Sequence, residues 1–116
     1  MTAKIEILDV TLRDGGYKTN FHFSHEAIQH LLTQLDQSGI NYVEIGYRNG
    51  SFKVMPDMGD TGLCPRYYLD FCKQYLQRAK MTVILHAKNV DEADFKEMYD
   101  CGVNCVRIIF PMNQPA

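Results

Sequence analysis

The sequence predicts an α/β fold built on a parallel sheet, and three observations carry that expectation. Four short apolar runs, at residues 5–10, 40–46, 81–87 and 103–110, have the length and composition of strands. Between them lie three stretches whose apolar residues recur at helical spacing. The order is therefore β-α-β-α-β-α-β with a repeat of roughly 25 to 40 residues, and such alternation gives a parallel sheet covered by helices with right-handed connections.

Each element follows from its local sequence. Ile5-Glu6-Ile7-Leu8-Asp9-Val10 alternates as a strand does and runs into Thr11-Leu12-Arg13-Asp14-Gly15-Gly16-Tyr17. There the two glycines are expected to turn the backbone with positive φ or to let it approach a ligand closely. The polar and aromatic stretch from Tyr17 to Phe23 reads as a loop. Ser24 is placed to cap the first helix, Glu26 stands in its first turn, and Ile28, Leu31, Leu32 and Leu35 form its apolar stripe up to Gly39. Ile40 to Gly46 is the second strand. Tyr47 to Leu63 shows no period and reads as a lid or binding loop. Pro65 suits the start of the second helix, with Tyr68, Phe71, Cys72, Tyr75 and Leu76 inward. Met81 to Ala87 is the third strand. Asp91 caps a third helix that turns Phe95, Met98 and Tyr99 inward and ends at Gly102, and Val103 to Phe110 is the fourth strand.

Composition narrows the function classes. Of 116 residues, 46% are hydrophobic and 22% charged, which marks a globular chain. A formal net charge of −2 gives no reason to expect nucleic acid as a partner. No apolar run approaches the roughly 20 residues that cross a bilayer, and the N-terminus has no apolar signal region, so the expectation is a cytoplasmic protein with no membrane partner. Cys64, Cys72, Cys101 and Cys105 match no common zinc spacing and are expected to be buried reduced thiols.

Two architectures suit the element order: an open doubly wound sheet, or part of a (β/α)8 barrel. No Gly-x-Gly-x-x-Gly follows the first strand, which lowers the dinucleotide-binding option. A full barrel takes about 250 residues, so residues 1–116 are expected to be a single partial domain, half of a barrel. Half a barrel leaves open edges, so the chain is expected to be a fragment or to need self-association or a second half.

The candidate chemistry lies at the strand ends. Asp9, Glu44, His86 and Arg107 are polar at strand positions that ought to be apolar, each from a different strand. Arg13 offers a fixed fork of donors for a carboxylate or an oxyanion, and Glu44 is its expected partner. For Asp9 and Arg107 the competing expectation is a structural ion-pair network in the barrel floor. His86 is a candidate for catalysis or substrate binding, against the commoner hydrogen-bonded core histidine. Tyr17 could act as an acid or donor through its phenol, or serve as an aromatic lid. Tyr47 and Arg48 are placed to touch a carboxylate substrate, although Arg48 could equally be a solvated loop charge. His22 is near enough in sequence to reach a ligand, and His30 is expected to face solvent. Asp14 offers a hard oxygen to a divalent cation, and no other motif supplies the remaining ligands.

Leu8-Asp9-Val10-Thr11-Leu12-Arg13-Asp14-Gly15-Gly16-Tyr17, followed by Tyr42-Val43-Glu44-Ile45-Gly46-Tyr47-Arg48, resembles the metal-dependent pyruvate aldolase and HMG-CoA lyase family of TIM barrels. That family includes 4-hydroxy-2-oxovalerate aldolase, isopropylmalate synthase and homocitrate synthase. The resemblance implies that Asp14 ligates Mn²⁺, Mg²⁺ or Zn²⁺, that Arg13 stabilises the enolate oxygen of a pyruvate-type 2-oxo acid, and that Glu44 supports Arg13. It implies carbon–carbon bond cleavage or formation through a metal-held enolate. Two departures stand out. The family's hydroxy-oxovalerate aldolases carry a histidine base three residues after the metal aspartate, where this chain has Tyr17, and the family's remaining metal ligands, a His-x-His pair, lie beyond these residues. On that pattern the 116 residues alone are expected to be inactive. The alternatives are a non-catalytic half-barrel that binds or assembles through its sheet edges, and a metal-free enzyme using Arg13, His86 and Tyr17.

Overall fold

A computed structural model describes residues 5–50 and 56–110. Four strands, β1 Leu8–Asp9, β2 Tyr42–Tyr47, β3 Lys80–His86 and β4 Cys105–Ile109, form one sheet in the order β1-β2-β3-β4, every neighbouring pair parallel. The helices are α1 Thr11–Asp14, α2 Gly16–Thr19, α3 His25–Gln37, α4 Asp60–Leu63, α5 Arg66–Lys73 and α6 Glu92–Asp100. Strand order equal to chain order, with no reversal, removes the doubly wound alternative. It is the winding of half a (β/α)8 barrel.

The strands have two unlike faces. Val43 and Ile45 of β2 and Met81, Val83 and Leu85 of β3 pack into one core with Leu12, Ile28, Leu32, Tyr68, Leu69, Cys72 and Met98 from the helices. All the helical layers thus cover the same side of the sheet. Alternation puts Glu44, Thr82, Ile84, His86, Cys105, Arg107 and Ile109 on the other side, the face that becomes a barrel's interior. No described helix is long and apolar enough to cross a membrane.

Several elements depart from the expected bounds. β1 pairs only through Leu8 and Asp9, and Ile5 and Ile7 are exposed at the sheet edge. The Gly15–Gly16 turn is helical instead. Gly15 has φ −66°, and Gly16 opens α2 with its missing Cβ replaced by the Phe21 ring, where an added methyl would lie 2.1 Å from Cδ1. Neither glycine therefore serves positive φ. The Tyr17–Phe23 loop begins inside α2, and the Tyr47–Leu63 loop contains α4, with residues 51–55 outside the described set. Ser24 caps α3 by accepting from Ala27 N at 3.1 Å. Pro65 is the residue before α5, and Asp91 caps α6 in a reciprocal box with Asp94. On α6 only Met98 is buried. Phe95 and Tyr99 are exposed, because within these residues no neighbouring layer covers that flank of β4. Cys105 is exposed for a similar reason, on the open inner face, whereas Cys64, Cys72 and Cys101 are buried free thiols.

One irregularity positions the site. Glu44 pairs with Thr82 and Tyr47 with Ile84, so three steps on β2 oppose two on β3. The extra residue is a bulge, which reverses the inward–outward parity of the residues after it. Gly46 makes it possible. Its φ is +153°, and a Cβ there would sit 2.0 Å from the Thr61 carbonyl oxygen of α4. The Ile45 carbonyl, inside the irregular stretch, accepts from Tyr68 Oη at 2.8 Å, so the bulge leaves that group satisfied.

Asp36 of α3 ties the helical layer to β3 by accepting from the Arg78 and Ala79 amides, both at 2.8 Å. Burial pulls its carboxyl up, but the amides of Ala79, Arg78 and Gln77 outweigh burial and hold it below the ordinary 3.8. The bond therefore contributes fully above that value and is lost as pH falls through the lower folded-state pKa. Asp36→Ala should cost about 1–3 kcal/mol in urea unfolding at pH 7 and flatten the acid limb of the stability curve. Gly46→Ala should cost about 2 kcal/mol or more, with loss of near-ultraviolet tyrosine dichroism as Tyr47 leaves its place.

Candidate active site

The carboxyl ends of β1, β2 and β3 bring together charged and aromatic side chains that are distant in the sequence. At the centre is Glu44, fully buried. Its Oε1 accepts from Arg13 Nε at 3.0 Å and from Arg107 Nη2 at 2.9 Å, and its Oε2 accepts from Arg107 Nε at 2.6 Å. A buried carboxylate alone would be costly. Two guanidiniums, one of them bidentate, compensate it and leave the trio with a net positive charge. The hydrogen bond to Glu44 holds the Arg107 guanidinium above its ordinary pKa, against partial burial. Thr82, level with Glu44 in the sheet, has its Oγ1 buried without a hydrogen-bond partner.

Above this floor stands an aromatic wall. The bulge turns Tyr47 inward, where its ring stacks on His86 with centroids 6.2 Å apart and planes at 11°. Tyr47 Oη and Tyr17 Oη share a hydrogen bond of 2.8 Å. Phe21 meets both rings edge-on, at 5.1 Å from Tyr17 and 5.8 Å from Tyr47. Phe21 holds φ +63°, unusual for a bulky residue. It is pinned there by its own amide on Gly16 O at 2.7 Å and by Thr61 Oγ1 donating to its carbonyl at 3.0 Å. Burial pushes the Tyr47 phenol up to about 12, aided by Tyr17 and opposed by Arg13, so it is protonated at neutral pH. Burial, with Lys88 nearby, lowers the His86 imidazole below its ordinary value and favours its neutral form.

Asp14 sits at the rim beside Arg13, 3.9 Å from Nη1, with its side chain 74% exposed. Among the described residues, no group of three or more His, Cys, Asp or Glu could hold a metal ion. Asp14 can thus supply one ligand and no more from within them.

Other candidates lie elsewhere. Arg48 does not face the site: following the inward Tyr47, its side chain turns to the helical layer. It is 8% exposed, donates to Cys64 O at 2.8 Å, and pairs with Asp94 and Glu97 of α6, each at 2.8 Å. Burial lowers its pKa, but those two carboxylates outweigh burial and raise it. It is therefore not a solvated loop charge, and its guanidinium is committed to the helical layer. Asp9 accepts from the Thr11 amide at 3.0 Å and hydroxyl at 2.8 Å and so closes the entry to α1. His22 bonds to Asp57 O at 2.7 Å, and His30 is exposed on α3. One site residue is not evident from sequence. Phe21 stands four residues after Tyr17, a helical spacing hidden when that stretch is read as loop. Arg107 stands out in the sequence as a charge within a strand, with a floor ion-pair network as one of its two readings, but no spacing foretells its bidentate hold on Glu44. Arg48→Ala should lower stability by about 3–5 kcal/mol in denaturant unfolding, because it leaves Asp94 uncompensated, and should leave the ligand affinity of the folded fraction unchanged.

Comparison with known proteins identifies the family to which the fold belongs. The HMGL-like family model matches residues 4–114. The 4-hydroxy-2-oxovalerate aldolase of Moorella thermoacetica is 30% identical over 109 residues, which cover 93% of this chain and 32% of the aldolase. That of Alkalilimnicola ehrlichii is 31% identical over 110 residues, with the same coverage of 93% and 32%. A shorter stretch of 41 residues, 35% of this chain and 12% of the relative, is 42% identical to an oxaloacetate decarboxylase of Mycobacterium tuberculosis. Among solved structures, the N-terminal domain of a candidate aldolase from Bacteroides vulgatus aligns with a TM-score of 0.73 and 31% identity, over 90% of this chain and 35% of that one. The chain therefore spans about a third of the length of the curated aldolases it matches. With the family model covering nearly every residue and the strand order agreeing with it, this chain belongs to the HMGL-like family.

Proposed function

We propose that residues 1–116 are a single partial domain, the N-terminal part of a divalent-metal-dependent aldolase or lyase that makes or breaks a carbon–carbon bond of a 2-oxo acid. The observation that carries this reading is the buried Glu44 carboxylate holding Arg13 by Nε, at the carboxyl end of a parallel sheet. That bond fixes the guanidinium plane and leaves the Nη groups to face an oxygen on which negative charge develops. Charge stabilisation of this kind acts most in the transition state, so it lowers the barrier rather than only tightening binding. The positive balance of Arg13, Glu44 and Arg107 suits an anionic carboxylate substrate.

Asp14 fits one position of a divalent-ion site: it is a hard, open carboxylate next to Arg13. Mn²⁺, Mg²⁺ or Zn²⁺, when bound, would act as a Lewis acid on the oxo acid's oxygens. The other ligands would come from residues outside those described, and the C-terminal half of the barrel, or a second copy, would cover the open inner face. Tyr17 and Tyr47 close one side and present phenols to the substrate, and stacking on Tyr47 sets the His86 ring beside them. The free thiols agree with a reducing, cytoplasmic setting.

Three measurements test the reading on the full-length protein. Arg13→Lys should lower kcat/KM for carbon–carbon cleavage by about 10²–10³, because a point charge cannot replace a forked, oriented donor. Asp14→Ala should abolish tight Mn²⁺ binding in calorimetry, and unchanged affinity would remove Asp14 from the metal site. Glu44→Gln should lower both activity and stability, the latter by about 3 kcal/mol, because two clustered guanidiniums lose their only shared anion among the described residues.

A further inference from the structure

We propose that Tyr47 and Tyr17 form a two-phenol proton relay, in which Tyr47 protonates the carbon of a pyruvate-type enolate and Tyr17 links Tyr47 to solvent. The relay rests on the oxo-acid reading and adds the source of the proton. The geometry is directional. Tyr47 is 4% exposed and Tyr17 58%, and their phenol oxygens lie 2.8 Å apart. The buried member is the one beside the cluster of charges, near enough for the Arg13 guanidinium to act on its phenol electrostatically.

The count of protons supports a donor. Two phenols that share one hydrogen bond carry two protons and use one between them, so the pair always retains a free O–H. A guanidinium keeps its protons in proteins, which leaves the phenols as the groups able to give one up at that point. His86 is a poorer source: its imidazole is disfavoured in the charged form and stacks face-on against Tyr47, with its ring plane nearly parallel to the phenol.

The step balances. Cleavage of the carbon–carbon bond turns the substrate's alcohol into a carbonyl, releases the alcohol proton to water and leaves the bond's electron pair in the enolate. The enolate carbon takes the Tyr47 hydroxyl proton, a C–H bond forms, and the O–H pair stays on the phenolate oxygen. The Tyr17 hydroxyl, hydrogen-bonded to that oxygen, and the positive charge of nearby Arg13 stabilise it. Tyr17 then returns a proton to Tyr47 and recovers one from water, so no other reactant is consumed. In the reverse direction the same relay removes a proton from the methyl group of pyruvate.

The test uses full-length protein with Mg²⁺ in D₂O, following hydrogen-for-deuterium exchange at the pyruvate methyl by proton NMR. Oxalate affinity, an enolate mimic, is measured alongside by calorimetry. Tyr47→Phe should slow the exchange by about 10²-fold and Tyr17→Phe by about 10-fold, in each case by much more than it weakens oxalate binding. Tyr17 is exposed, so its variant keeps the test open should Tyr47→Phe fold poorly. Exchange at the original rate in Tyr17→Phe, with oxalate still bound, overturns the relay and leaves the oxo-acid reading standing. Failure of the unsubstituted protein to bind oxalate overturns that reading and the relay with it.

Discussion

The carboxylate of Glu44, stripped of water and shared by two guanidiniums, is the interaction on which the rest of the site depends. A charge with no access to solvent is tolerable only if its partners are fixed, and its partners are fixed only if the strands that carry them keep register. Glu44 comes from β2, Arg107 from β4 and Arg13 from the turn after β1, so one carboxyl group gathers three separate pieces of chain. β3 passes between β2 and β4 without contributing a charge at that level and leaves Thr82 buried beside them. The same pairing that makes the floor of a half-barrel tolerable also aims Arg13 at its mouth. Structure and chemistry are therefore not separable at this position.

The bulge at Gly46 gives the second constraint. In a regular strand Tyr47 would share the helical side with Ile45. The extra residue turns it inward and sends the next side chain, Arg48, out to Asp94 and Glu97. One backbone irregularity thus assigns two adjacent residues to unrelated tasks, a wall of the site and a clamp in the helical layer. Glycine is required twice over, by its φ and by the Thr61 carbonyl against it. Phe21, held in the left-handed region nearby, completes the wall.

Much of the fold is legible in the sequence, and the gaps have physical causes. Period alone separates helices from strands, because burial on one face imposes a repeat of 3.6 or 2. Ser24, Asp91 and Gly39 mark helix ends because unsatisfied amides and carbonyls must find partners there. The Arg13–Glu44 pair can be anticipated, since a strand carboxylate needs a cation. Less accessible are the two helical turns at Thr11–Thr19, where Asp9 and the Gly16–Phe21 contact override glycine-rich composition. Phe95 and Tyr99 mislead because helical spacing reports a stripe, not whether a neighbour covers it. Arg48 misleads because a charge after a strand looks alike whether it faces solvent, substrate or a buried carboxylate.

By itself the sequence determined the α/β class, the alternation of elements and the presence of an Arg-Asp pair at the end of the first strand, because these follow from local periodicity and from the chemistry of adjacent residues. Only the tertiary structure decided that the strands lie in the order 1-2-3-4, that Arg107 joins Arg13 on Glu44, that Tyr47 faces inward, and that Arg48 does not. Those outcomes depend on register and on a single inserted residue in β2, and no local pattern encodes which distant side chain will stand opposite.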